Sequence, residues 1–255
     1  MTTTTTTTTT TLIAGLFLLF TTAQAQTFPE LIKVTGGTFT MGDEYSLGGK
    51  DEQPTHQVTL SDFYIGKTEV TVAQYRAYCN AEGVSMPEQP GWGWTNNTPI
   101  VNVSWNDAIN YCNWLGKKLD KKITLPTEAQ WEYAARGGNQ SQGYKYAGGS
   151  SMETAGWYED NSGAKTHNVA TKKGNELGLY DMSGNVWEWC LDWFETEYLA
   201  SNPNTNSTNP STGAFRVLRG GSWNNLAINC RVAYRYYNAP SFRNDINGFR
   251  VAFSQ

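Results

Sequence analysis

Few side chains in this sequence have the types and spacing that chemistry requires. The chain has 4 cysteines and 2 histidines. Cys79, Cys112, Cys190 and Cys230 stand far apart, and His56 and His167 have neither a Cys nor a His beside them. The closely spaced ligand pairs of a zinc site are therefore missing, and 2 histidines cannot make a three-histidine iron site. What remains is a segment suited to binding. Arg219-Gly220-Gly221-Ser222-Trp223, Cys230-Arg231-Val232-Ala233, Arg235, Pro240, Arg243 and Gly248-Phe249-Arg250 form a frame. Between them lie mixed runs built from Asn, Tyr, Phe, Leu, Ile, Ala, Ser and Asp. The first run contains Asn224, Asn225, Leu226, Ala227, Ile228 and Asn229. The second contains Tyr236, Tyr237, Asn238, Ala239, Ser241 and Phe242, and the third Asn244, Asp245, Ile246 and Asn247. These runs lack the alternation of a core strand. Tyr supplies rigid contact area and Asn adaptable hydrogen bonding, as on binding surfaces. An Asn-rich irregular loop with aromatics filling its gaps has the same composition.

Composition narrows the class. A formal charge of −4 and the expectation of no Lys/Arg-rich patch argue against a nucleic-acid partner. Charged residues make up only 16 %, while the chain holds 10 Trp, 14 Tyr and 25 Gly, which fits loops held by buried aromatics and not disorder. Residues 1–25 read as a signal peptide: an apolar run from Leu12 to Phe20, then Ala23-Gln24-Ala25 as a small-x-small cleavage site, leaving Gln26 first. No Lys or Arg precedes the run, which is atypical. The run is too short to span a bilayer comfortably and no other candidate span occurs. The expected destination is the periplasm, the cell surface or the medium. Export permits disulfides, and of the three possible pairings Cys79–Cys112 and Cys190–Cys230 are expected, against the alternative of buried free thiols.

The elements that must position these residues are few. Thr71 with Gln74, Ser104 with Asp107 and Thr127 with Gln130 each look like a capping box opening a helix. Gly83, Gly116 and Gly137-Gly138 are their expected stops. Gly37 to Gly42 and Gln57 to Ile65 read as short strands. After Gly138 almost no periodicity remains, and long loops of that kind are usually functional or metal-stabilised. The expectation is one α+β domain over residues 26–255, loop-rich, with few helices and short antiparallel strands, and a variable-looking segment over residues 223–247.

Six motifs in order carry a family resemblance. They are Gly36 to Gly42, Lys67 to Thr71, Pro99 to Trp105, Leu125-Pro126-Thr127-Glu128-Ala129-Gln130-Trp131-Glu132-Tyr133-Ala134, Asn175 to Trp189, and Arg219 to Trp223. Together they resemble the sulfatase-modifying-factor, or formylglycine-generating-enzyme-type, domain, which implies a variant of the C-type lectin fold. Fold alone does not give function. The family's enzymes oxidise a sulfatase cysteine to formylglycine with two cysteines that bind copper(I) and lie just after the Arg-Gly-Gly-Ser motif. Soft thiolates suit that ion. Here Asn225 stands at the first of those positions, and a neutral amide cannot replace a thiolate. Cys230, Ser222 and Trp189 are the residues that would remain if the chain were an enzyme. Copper and catalysis are not expected. The iron-dependent, sulfoxide-forming relatives need a separate histidine-bearing domain, which this sequence lacks.

The same resemblance implies calcium, held by Glu188 and by the backbone carbonyls of Ser183, Gly184 and Val186. The alternative is that Glu188 only hydrogen-bonds the Gly184-Asn185 turn. The C-terminal frame is also similar to the variable proteins of diversity-generating retroelements, in which adenines of Asn codons are randomised. Tyr, Ser, Ile and Asp lie one adenine from an Asn codon, and Phe, Leu and Ala lie two away. Every mixed position carries Asn or one of these, and no Lys, Gln, Glu, Met or Trp occurs between Asn224 and Arg250. The leading expectation is an exported binding protein for a protein or glycan. Its contact residues would be Trp223, Asn224, Asn225, Leu226, Ile228, Tyr236, Tyr237, Asn238, Ser241, Phe242, Asn244, Asp245 and Ile246. A formylglycine-generating oxidase and a structural component of a cell-surface or secretion assembly are the alternatives.

Overall fold

The computed structural model describes residues 28–195 and 212–254; the leader expected over residues 1–25 lies outside them. Strands β1 (Leu31–Val34), β2 (Gly37–Met41), β3 (His56–Leu60) and β4 (Phe63–Gly66) come first. They are followed by helices α1 (Val72–Glu82), α2 (Trp105–Leu119) and α3 (Glu128–Ala135), and by the single turn α4 (Met152–Ala155). The rest of the chain supplies β5 (Trp187–Trp193), β6 (Arg216–Arg219), β7 (Arg235–Asn238), β8 (Asn247–Gly248) and β9 (Ala252–Ser254). None of the helices described is long and apolar enough to cross a membrane.

The capping boxes form as the sequence implies. Thr71, Ser104 and Thr127 each accept a bond from the N3 amide, while the N3 side chain accepts one from the cap amide, which satisfies two otherwise orphaned donors per helix. Gly83 ends α1 in the left-handed conformation. Gly116 behaves differently from the expectation: α2 runs on to Leu119 and ends at Asp120, φ 51°. A Cβ on Gly116 would stand 2.7 Å from the Lys121 carbonyl oxygen. This glycine therefore lets the chain fold back tightly against the helix and does not stop it.

Three sheets are present among the described residues: β1-β4-β9, the hairpin β2-β3, and a four-stranded sheet ordered β7-β6-β5-β8. All described pairings are antiparallel except β5 with β8. The third sheet uses residues that look irregular in the sequence. β5 is buried at five of its positions, with no alternation, and its register with β6 shifts between Trp189 and Trp193. A bulged strand covered on both faces has no period-2 signature to read.

Two large apolar clusters fill the interior. One centres on α1 and α2, where Tyr75, Tyr78, Tyr111, Trp114 and Phe249 pack ring against ring at 5.3–6.3 Å. The other surrounds α3, every residue of which is buried, and includes Trp131, Tyr133 and Cys190. The four cysteines are free and buried, so the expected Cys79–Cys112 and Cys190–Cys230 disulfides are not formed. Cys79 and Cys112 pack in the first cluster, Cys190 in the second, and Cys230 in a small third one with Tyr146, Met152 and Ala155. Each acts as a small apolar side chain. The expectation of no basic patch also needs correction: Lys117, Lys118, Lys121 and Lys122 are all exposed at the C-terminal end of α2.

Candidate functional site: the C-terminal surface

Five frame arginines anchor the segment from β6 to the chain end. Arg231 grips Glu52 with both nitrogens at 2.8 Å. Arg235 grips Glu128 at 2.7 and 2.9 Å, and Arg250 grips Glu188 at 2.6 and 2.7 Å. Arg219 reaches Glu132 and also donates to the carbonyls of Val232, Ala233 and Tyr234. Nearer the surface, Arg243 holds Asp107 on the first turn of α2 at 2.7 and 2.9 Å. Paired forks of this kind are the stronger class of ion pair. Burial by itself would raise the Glu128 carboxyl, but Arg235 and Arg219 together hold it below the ordinary range.

Between these anchors the side chains divide by exposure. Arg219, Gly220, Gly221, Ser222, Cys230, Arg231, Val232, Ala233, Arg235 and residues 248–250 are buried. Asn224, Leu226, Ile228, Tyr236, Tyr237, Ser241 and Phe242 are exposed. Trp223, Asn225, Asn238, Asn244, Asp245 and Ile246 are half-buried and tie the runs together. The Trp223 indole donates to the Asp245 carbonyl, joining the first run to the third, and packs edge-on against Trp92. Trp187 stacks on Tyr236 at 5.1 Å while its amide bonds the Ile246 carbonyl, joining the second run to the third.

Tyr236 and Tyr237 are neighbours on the edge strand β7, with their ring centroids 6.0 Å apart. Tyr236 lies with Trp187, whereas Tyr237 stacks on Phe194 at 4.2 Å and leans on Phe215. Phe194 and Phe215 escape a reading of the sequence because they stand outside the mixed runs. A ledge of three aromatics therefore adjoins the predicted contact surface.

The residues expected to matter in an enzyme are engaged in the fold. Asn225 Oδ1 accepts from the Ser222 amide at 3.1 Å and from its hydroxyl at 2.6 Å, closing the turn. Cys230 is fully buried, and a Cβ on Gly221 would stand 2.5 Å from its sulfur. Burial pushes its thiol up to about 12, against the opposing pull of the Ser222 amide. The Trp189 indole donates to the Val103 carbonyl in the first cluster, apart from the Cys230 cluster. A single buried thiol does not offer copper(I) the converging thiolates that suit it.

At the position expected to hold calcium, the Glu188 carboxylate already has partners. Both carboxylate oxygens are engaged by Arg250, and Oε2 also accepts from the Trp131 indole at 2.8 Å. A cation bound by this carboxylate would face the guanidinium that already neutralises it. The Ser183 carbonyl oxygen is shut in as well, since a Cβ on Gly156 would fall 1.6 Å from it. Nor does Glu188 bond the Gly184-Asn185 turn: Asn185 directs its amide to Glu69 and His167.

The chain matches a family model described as "Sulfatase-modifying factor enzyme 1-like domain" over residues 17–255. It belongs to that family. Within the sulfatase-modifying factor family it is 34 % identical to the formylglycine-generating enzyme of Streptomyces coelicolor, over 87 % of this chain and 88 % of the enzyme. Two solved structures share its architecture at 30 % identity. Treponema denticola variable protein 1 superposes with a TM-score of 0.77, covering 88 % of this chain and 95 % of that one. PvdO from Pseudomonas aeruginosa does so with a TM-score of 0.80, covering 90 % and 96 %. The fold is thus the α+β, C-type-lectin-like fold of the sulfatase-modifying factor family.

Proposed function

We propose that this is an exported, non-catalytic binding protein in which the sulfatase-modifying factor scaffold presents the mixed runs of its C-terminal segment to a protein or glycan. The observation that carries this reading is the division between a buried, arginine-anchored frame and exposed side chains between the anchors. Leu226, Tyr236 and Tyr237 are 57 %, 40 % and 42 % exposed. Large apolar groups left in water beside adaptable polar ones are what a recognition surface offers. The position of the enzymes' first cysteine carries Asn225, which accounts for a scaffold kept without the redox chemistry. Similarity to a structure titled a variable protein and the Asn-codon pattern of the mixed positions support diversification of this surface.

Two measurements test the reading. Purified protein loaded with copper(I) is incubated with a sulfatase-type Cys-x-Pro-x-Arg peptide, and the products are weighed by mass spectrometry. No conversion is expected beside a working enzyme. Formylglycine formation that disappears in Cys230→Ser would overturn the proposal. Photo-crosslinking from position 226 or 237 in cell-envelope extract should give a discrete adduct that Tyr236→Ala/Phe242→Ala abolishes. An adduct unchanged by those substitutions would show that these runs are not the contact surface.

A further inference from the structure

The edges of the three sheets are guarded unequally. On the free side of β9, Ala252 exchanges backbone bonds with Thr124 at 2.8 and 2.7 Å. β8 is two residues long and both are buried. β1 carries the exposed Lys33, and the hairpin β2-β3 carries the exposed Thr38, Gln57 and Thr59. Cover, shortness, charge and polar side chains all discourage pairing with another chain. β7 differs. It is the outer strand of the β7-β6-β5-β8 sheet, and its two exposed side chains are Tyr236 and Tyr237. Its charged residue, Arg235, is buried against Glu128.

In an antiparallel ladder, consecutive residues alternate between turning N–H and C=O toward the neighbouring strand and turning them away. Tyr237 lies opposite Val217 and Tyr236 opposite Leu218 in the register with β6. One of the two tyrosines therefore directs both backbone groups outward. Neither makes a backbone bond beyond β6 among the described residues. The rings beside this edge are braced from within. Tyr236 stacks on the buried Trp187, and Tyr237 stacks on Phe194 at 4.2 Å with Phe215 at 5.1 Å.

We propose that β7 pairs with an extended segment of a protein partner, which adds a strand to this four-stranded sheet. The inference rests on the reading of the C-terminal segment as a binding surface and chooses between the two ligand classes named there. A row of peptide N–H and C=O groups complements an open strand edge, and a glycan has no such row. In this mode main-chain bonds supply affinity and alternate side chains supply selectivity. The backbone contribution therefore persists while side chains of the mixed runs differ. The braced tyrosines and Phe215 then meet apolar or aromatic residues at every second position of the added strand.

The test uses the purified full chain, a phage library of random linear peptides and an array of immobilised glycans. Amide exchange in the free protein is read first, by NMR at Tyr236 and Tyr237. One amide should be protected through β6 and the other should exchange at least about tenfold faster. Protection of both would show that the edge is already covered and would overturn the proposal. Peptides selected from the library should carry apolar residues at alternate positions and slow the fast amide. Proline then replaces each tyrosine in turn, beside alanine at the same position. At the inward position proline breaks the ladder to β6 and the protein melts early. At the outward position an edge strand tolerates it, and it should weaken peptide binding at least about tenfold beyond alanine, the loss of a main-chain bond. Equal binding by the outward proline and alanine variants, capture of glycans alone, or a library that returns no peptide would overturn the proposal. The wider reading is judged separately: Leu226→Ala/Phe242→Ala should weaken whichever ligand binds, even where proline has no effect.

Discussion

Replacing Glu188 by alanine separates an ion-paired reading of this residue from a calcium-binding one. Its Oε1 accepts from Arg250 Nη2 at 2.7 Å, and its Oε2 accepts from Arg250 Nε at 2.6 Å and from the Trp131 indole at 2.8 Å. Both Glu188 and Arg250 are fully buried. In Glu188→Ala the guanidinium keeps only its bonds to the carbonyls of Gly66 and Tyr180. Breaking a buried pair from one side costs about 3–5 kcal/mol, and an orphaned indole N–H adds about 1–3 kcal/mol. The two losses overlap, giving roughly 5 kcal/mol, or a fall in melting temperature of about 10–20 °C for a chain of this size. Glu188→Leu/Arg250→Met should recover much of that, because a buried pair can be replaced by apolar groups at little cost. The assay is thermal unfolding followed by circular dichroism, with and without a calcium chelator. A fall below about 3 °C for Glu188→Ala would refute the reasoning. So would a chelator that lowers the wild-type melting temperature as far as the substitution does.

Other outcomes follow from the same geometry. The native protein should leave all 4 cysteines unmodified by an aromatic disulfide reagent at pH 8. Burial raises every one of these thiols, and all should react once the protein is denatured; rapid reaction of the native Cys230 would contradict its placement. Tyr236→Ala and Tyr237→Ala should each cost about 1–2 kcal/mol, the loss of two ring pairs for Tyr236 and three for Tyr237 at half-exposed sites; a loss above about 3 kcal/mol in urea titration would mark that tyrosine as core. Gly116→Val should destabilise by about 1–3 kcal/mol through overpacking against Lys121, and an unchanged urea midpoint would show that the close approach is not there. Burial works to raise the Asp107 carboxyl, but its bonds to Arg243 and Ser104 outweigh that and lower it. Its contribution is therefore present above the ordinary carboxylate range and lost as the pH falls through the lowered folded value; Asp107→Asn should flatten the stability–pH profile there.

The parts of the fold legible in the sequence are those fixed by local chemistry. Thr71, Ser104 and Thr127 announce their helices because a capping box is complete within four residues. β5 does not announce itself, because its burial on both faces depends on β6, β8 and α3, which are distant in sequence. Gly116 misleads for a related reason. A glycine that ends a helix and one that admits a neighbouring backbone look alike until Lys121 is seen against it. At the candidate site, the mixed runs stand out by composition, and the structure leaves their large side chains exposed or half-buried. The pairing of Arg231 with Glu52 spans 179 positions, and no spacing rule could link them. Glu188 was open to a metal in the sequence because its partner, Arg250, lies 62 residues further on.

The arginine anchors also divide the C-terminal segment into short rings. Arg219 and Arg231 close one, Arg235 and Arg243 a second, and Arg243 and Arg250 a third. Each ring spans few enough residues that its closure entropy is small and set by its ends, not by the side chains in between. A change within a ring then alters local opening of that ring and leaves the global unfolding free energy nearly untouched. Such a segment can explore many surface sequences at nearly constant stability, while breaking a buried arginine pair from one side draws about 3–5 kcal/mol from a small margin. The distinction between tolerant and intolerant positions is written in the ion pairs and would hold whichever process supplies the variation.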